Sequence, residues 1–185
     1  MKRNLFTVFV LLPLLLLSCA ALWQSDADRG IEAARTGEYS VAVRNLEPLV
    51  SGGSNAPVAV ESLYYSWIRQ GEYTQAREKF ESWAGSRPNS APIRLAAGRI
   101  DRLTGNYDAA LTQLTAAQSS RDVGIAATYE KAGVLVDTGK RQEADALYNR
   151  IVNGFLDNPN TPSRELIYVA GSLAALEQFE NANNV

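Results

Sequence analysis

Histidine is absent from all 185 residues, and cysteine occurs once, at Cys19. The first absence removes the commonest general base and the commonest transition-metal ligand. The second leaves no pair for a disulfide, so a folded, exported form has to hold together by packing. Neither sign of charge is in surplus: 18 basic and 20 acidic residues give a net charge of −2, with a pI near 5.3. With no basic excess to neutralise phosphates, nucleic acid is not an expected partner. No nucleophile stands beside a base, and no carboxylate pair or ligand cluster has a telling spacing. Acid pairs such as Glu78 and Glu81 recur at the interval of a solvated helix face, and "SGGS" at 51–54 lacks the Lys-Ser/Thr of a phosphate loop. The expectation is therefore a chain that is not an enzyme and uses neither cofactor nor metal.

What is present is the composition of a folded protein, 46% apolar and 21% charged, in a length that suits one domain or one short array. The first 18 residues, "MKRNLFTVFVLLPLLLLS", join a basic start at Lys2 and Arg3 to an apolar run from Leu5 to Leu17. That run is short for a membrane span and suits a secretory signal. With Cys19 directly after it, "LLSC" resembles the lipobox of bacterial lipoproteins, with Leu17 where that family usually has a smaller residue. The resemblance implies cleavage before Cys19 and acylation there, which would anchor the protein to a bilayer; each buried methylene adds about 0.8 kcal/mol, and more than one chain makes the anchor firm. Loss of Lys2 and Arg3 would take the net charge from −2 to −4. Ala20 is not the Asp that retains lipoproteins at the inner membrane of enteric-type bacteria. By that resemblance the address is the periplasmic face of the outer membrane, or the outer face of the cell membrane where there is only one.

Beyond the leader the chain repeats itself. "GEYSVA" begins at Gly37, "GEYTQA" at Gly71, "GNYDAA" at Gly105 and "GKRQEA" at Gly139, each glycine 34 residues from the next. In each, the last residue is a small one: Ala42, Ala76, Ala110 and Ala144. A glycine placed to end one helix and an alanine five residues on describe a hairpin, the glycine turning the chain and the alanine marking where the arms meet. The large residue one turn later is Leu46, Phe80, Leu114 or Tyr148, and the matching small residues of the first helices are Gly30, Gly98, Ala132 and Ala170. Pro57, Pro92 and Pro162 stand where first helices should begin, with Ser90 and Thr161 as nearby cap residues.

A 34-residue period of this kind resembles the tetratricopeptide repeat (TPR) family. The second unit fits best, with Leu63, Trp67, Ala76, Phe80 and Pro88 in the family's places and Tyr64 where it prefers Gly. The resemblance implies an all-α fold, a right-handed α-solenoid of antiparallel helix hairpins spanning residues 23–185 after a signal (1–18) and a short lipidated tether (19–22). About five units are expected, the last incomplete. In the fourth, Arg141 replaces the tyrosine, and "GFLDNPNTPS" at 154–163 lengthens the next connection. In the fifth, Phe179 takes the Tyr place, Ala182 the Ala place, and Glu177 replaces the Gly. The chain stops at Val185, which leaves three readings open: the last hairpin frays, its seam is a contact surface, or a longer protein continues past it, the last two being favoured equally.

The same resemblance assigns the concave face to the first helices. Its partner-facing positions fall on Glu61, Tyr65 and Arg69; on Leu95, Arg99 and Arg102; on Tyr129 and Asp137; and on Ile167. Tyr65, Arg69, Arg99, Arg102 and Tyr129 are the expected partner-binding residues, a basic band flanked by tyrosines, unless the arginines pair with acids such as Asp101 and Glu61. The Lys and Asn set with which some relatives clamp a peptide carboxylate is absent. The expected function is a lipid-anchored scaffold or adaptor for an envelope protein or peptide segment, in outer-membrane, pilus or cell-wall machinery. The alternative is the anchoring and recruiting part of a longer envelope enzyme.

Overall fold

The computed structural model describes residues 25–158, 161–182 and 184; Cys19 and the leader lie outside the described residues. The described residues form ten helices in five hairpins: α1 (Asp26–Thr36) with α2 (Tyr39–Ser51), α3 (Pro57–Gln70) with α4 (Tyr73–Ser86), α5 (Ala91–Leu103) with α6 (Tyr107–Ala117), α7 (Gly124–Asp137) with α8 (Arg141–Asp157), and α9 (Ser163–Ala175) with α10 (Phe179–Ala182). Each helix packs mainly on its neighbours in sequence, and first helices also touch the next first helix, as in a solenoid.

All five hinges are built alike. The N–H groups of Glu38, Glu72, Asn106, Lys140 and Gln178 donate to the carbonyls of Ala33, Trp67, Asp101, Leu135 and Leu173, at 2.7 to 3.0 Å. These are the long closing bonds of a Schellman turn, which requires a left-handed residue between helix and bond. Gly37, Gly71, Gly105 and Gly139 supply it at φ 77 to 85°, and Glu177 supplies it in the fifth hinge at φ 64°. The turn is thus made even where the glycine is missing, at the steric cost a Cβ brings to that region.

The arms meet where the small residues stand. Ala42, Ala76, Ala110 and Ala144 are fully buried. A Cβ on Gly30 would come within 2.5 Å of Leu46 and one on Gly98 within 2.6 Å of Leu114, so these hairpins seat leucine against bare backbone. The second hairpin does it differently: Tyr64 stands in the small place and its ring lies 6.2 Å from Phe80. Phe80 in turn meets Trp67 edge-on at 5.5 Å and Trp83 at 5.4 Å, with all three rings buried.

Three local expectations need correction. Ser90 does not cap α5, because its hydroxyl is turned to Asn55 at 2.7 Å; Thr161 donates to the carbonyl of Asn158 and Pro162 takes the cap position of α9. Side-chain capping is seen instead at α1, where Ser25 accepts from the N–H of Asp28. Residues 154–157 belong to α8 rather than to a connection, which makes α8, at 17 residues, the longest helix among the described residues. Arg141, in the tyrosine place of the fourth hairpin, donates to the carbonyl of Ala175 at the end of α9. Ala182 is partly buried against Ile151, Val152, Val169 and Leu173; the Phe179 side chain lies outside the described residues.

Candidate binding groove

First helices α3, α5, α7 and α9 line a concave face, and its centre is held by one guanidinium. Arg99 on α5 donates from Nη1 to Glu61 on α3 at 3.0 Å, from Nε to Glu130 on α7 at 2.9 Å, and from Nη2 to the Tyr168 hydroxyl on α9 at 2.7 Å. Four consecutive first helices therefore converge on one side chain. Its carbon also lies 5.8 Å from the centre of the Tyr64 ring. Arg102, one turn on, shares Glu130 at 3.1 Å and takes Asp137 at 2.7 Å. It can lie there because Gly133 has no side chain: a Cβ would sit 2.2 Å from its guanidinium.

This clasp is dry enough to matter. The Arg99 side chain is 11% exposed and that of Glu130 18%. Burial disfavours the Arg99 charge, but Glu130, Tyr168 and Glu61 outweigh it and leave the guanidinium above its ordinary value. Burial pushes the Tyr64 hydroxyl up to about 12 and raises that of Tyr168, so both remain neutral donors and acceptors.

The expected partner-binding residues thus fall into three environments. Arg99 and Arg102 are not a free basic band: they are matched by three carboxylates, Glu61, Glu130 and Asp137. Asp101 is not among their partners; buried, it pairs with Arg77 on α4 at 3.2 Å, and burial, with Glu81 close by, raises its carboxyl to about 6. Tyr129 packs sideways, its ring 5.7 Å from Tyr148 and 5.5 Å from Tyr168, over Gly171. Tyr65 and Arg69 remain at the surface: Arg69 lies against the rings of Tyr39 and Tyr65 and donates to the Tyr39 hydroxyl at 3.2 Å, which raises its pKa.

Around the clasp the face is apolar and open. One hollow of about 200 Å³ is walled by Val58, Leu95, Val123 and Ala126 among others; a wider one of about 810 Å³ carries Tyr65, Ile68, Leu103 and Ile167. They share Glu61, Tyr64, Arg99 and Tyr168, so they are two ends of one groove. Val58, Tyr65, Leu103 and Ile167 are large apolar residues left exposed, Ile167 at 70%. Glu130, Tyr168 and Leu103 did not stand out in the sequence, although carboxylate and guanidinium in successive first helices on one face were a readable signal. Among the described residues no group of His, Cys, Asp or Glu is arranged to hold a metal, and no helix is long and apolar enough to cross a membrane.

Five hinged hairpins with a concave face of first helices define an all-α repeat fold of the tetratricopeptide type. Residues 27–91, from α1 into the start of α5, match the tetratricopeptide repeat family model. Among solved structures, MamA from AMB-1 is similar over 85% of this chain and 90% of its own, with 20% identity and a TM-score of 0.54. MamA from MSR-1 is similar over 86% and 93%, at 21% identity and a TM-score of 0.54. A Podosopora anserina protein of nearly identical TPR-like repeats is similar over 86% and 89%, at 18% identity and a TM-score of 0.57. No curated protein sequence matches the chain.

Proposed function

We propose that this chain is a lipid-anchored adaptor of a bacterial envelope, holding a segment of a protein partner in the groove of its first helices. Tetratricopeptide repeats are consistent with a protein-interaction scaffold. The observation that carries the reading is the apolar set Val58, Tyr65, Leu103 and Ile167, four of the seven large apolar residues exposed among the described residues, gathered along one groove. Contiguous exposed apolar surface rimmed by charge is what a partner site presents. Arg99 and Arg102 serve this site by fixing its shape, and Arg69 with Tyr65 edges it.

Anchoring at Cys19 would leave residues 20–22 as a short tether and keep the groove close to a membrane, at the periplasmic face of the outer membrane in a two-membrane cell. The partner is accordingly an envelope protein in outer-membrane, pilus or cell-wall machinery.

Cross-linked co-purification from native envelopes tests both parts. Leu103→Asp with Ile167→Asp, both on exposed positions, should reduce partner capture at least tenfold while circular dichroism stays unchanged; equal capture by the double variant removes the groove from the reading. Cys19→Ser should abolish acyl labelling and release the protein from membranes, and persistent labelling would overturn the anchor.

A further inference from the structure

Glu165, in the first turn of α9, lines the smaller hollow, and its residue is 8% exposed. No hydrogen-bond donor among the described residues reaches its carboxylate. The cation nearest to it is Arg164, with Nε at 4.0 Å, a side chain that is 61% exposed and also 3.9 Å from Asp122. Arg99 lines the same hollow, but each of its three nitrogens is engaged elsewhere. The carboxylate oxygens still touch solvent, with no hydrogen-bonded partner and only a distant cation beside them, so the hollow has the character of a half-made ion pair.

The walls narrow the missing half. Val58, Leu95, Val123 and Ala126 offer apolar surface that a hydrated metal ion would leave unused, and the carboxylates Glu61, Asp122 and Glu165 exceed the cations Arg99 and Arg164 that face them. An apolar stem ending in a cation satisfies both. The hollow opens into the wider groove through Glu61, Tyr64, Arg99 and Tyr168, so the stem hangs from a chain lying along that groove.

We infer that the smaller hollow is a specificity pocket for one lysine or arginine side chain of the partner segment, with Glu165 receiving its head and Glu61 standing at the mouth. This rests on the groove reading above and adds the chemistry of what enters it. The stem packs on Val58, Leu95, Val123 and Ala126, as long cationic side chains lie along apolar surface. Discrimination comes from the penalty of leaving the carboxylate unpaired when an uncharged residue enters.

Panning a random 12-residue display library on the purified full-length protein tests the pocket. The expected groove binders are those lost on Ile167→Asp, carrying Lys or Arg at one fixed position beside apolar residues. Replacing that residue with norleucine should weaken binding at least tenfold. Glu165→Gln should erase the difference between the two peptides, with thermal unfolding confirming an intact fold. Val58→Trp, on an exposed wall position, should block the pocket independently. n-Pentylamine should compete only weakly; competition at peptide-like concentrations would assign the pocket to a free amine and overturn the inference. Groove binders with no fixed cationic position, or an undiminished preference in Glu165→Gln, would overturn it while leaving the adaptor reading in place. A selection yielding no binder sensitive to Ile167→Asp would overturn both.

Discussion

In the second hairpin, Leu63, Trp67, Phe80 and Trp83 are all buried, and the Trp67, Phe80 and Trp83 rings meet at 5.4 to 6.0 Å. In the fifth, the second helix is four residues long, Ala182 is only partly buried, and Val169 and Leu173 find their cover on α8. Both hairpins close with the same long hydrogen bond, yet one does so on a glycine and the other on Glu177. The hinge is therefore a local matter of backbone, whereas firmness comes from the large residue one turn past the small one. The two hairpins can be set against each other by experiment.

The largest effect is expected at the ring cluster. Phe80→Ala should cost about 3–5 kcal/mol, because the neighbouring rings cannot collapse into the space, and the whole array should lose its urea midpoint. Leu173→Ala should instead loosen mainly α9 and α10, since repeat arrays couple chiefly to nearest neighbours. Hydrogen exchange by segment distinguishes the two; a global loss from Leu173→Ala would erase the proposed contrast.

Arg99 ties the two hairpins together, reaching Glu61 on α3 and Tyr168 on α9. Arg99→Lys keeps the charge but cannot span three acceptors in a fixed fork, and should cost about 2–4 kcal/mol with faster exchange in α9. Exchange in α9 like that of the parent would show that the clasp does not support the last hairpin.

Asp101, on α5, offers a lever on the seam between the second and third hairpins, through Arg77 and Glu81 on α4. Its carboxyl lies at about 6 in the folded chain against 3.8 for the free group, raised first by burial and then by Glu81. The folded state thus holds this proton more tightly: its contribution is full below 3.8 and disappears as pH rises through 6. Relative to Asp101→Asn, the parent should gain up to about 3 kcal/mol as pH falls across that window. A stability gap that is flat with pH would place the carboxyl at its ordinary value.

Much of this architecture was legible because its determinants are local. Gly37, Gly71, Gly105 and Gly139 sit at the left-handed hinges, the alanines five residues on are buried, and even Glu177 was placed correctly as the residue in a glycine's role. The groove was legible only as a list of positions. Arg99 meets its partners at separations of 38, 31 and 69 residues, and no spacing rule within one repeat says which acid a guanidinium will find. That depends on how tightly the solenoid curves. Tyr129 shows the same limit: it stands in a groove position, but Gly171 opens a gap on the next first helix and the ring lies over it.

The smallest effect is the most direct test of the hinge. Glu177 occupies φ 64°, where a Cβ crowds the following carbonyl at a cost of about 1–2 kcal/mol, while glycine pays more entropy on folding, about 0.5–1 kcal/mol. Glu177→Gly should therefore stabilise the fifth hairpin by about 0.5–1 kcal/mol, seen as slower exchange in α9 and α10 with little change in the second hairpin. The converse substitution, Gly71→Glu, transfers the same strain to the better-packed hairpin. It should destabilise by a similar amount without altering the Glu72 to Trp67 closing bond, because the rings beyond it hold the arms in place. If Glu177→Gly instead loosened the fifth hairpin, the glutamate would be making a stabilising contribution of its own, and the equivalence of the five hinges would fail.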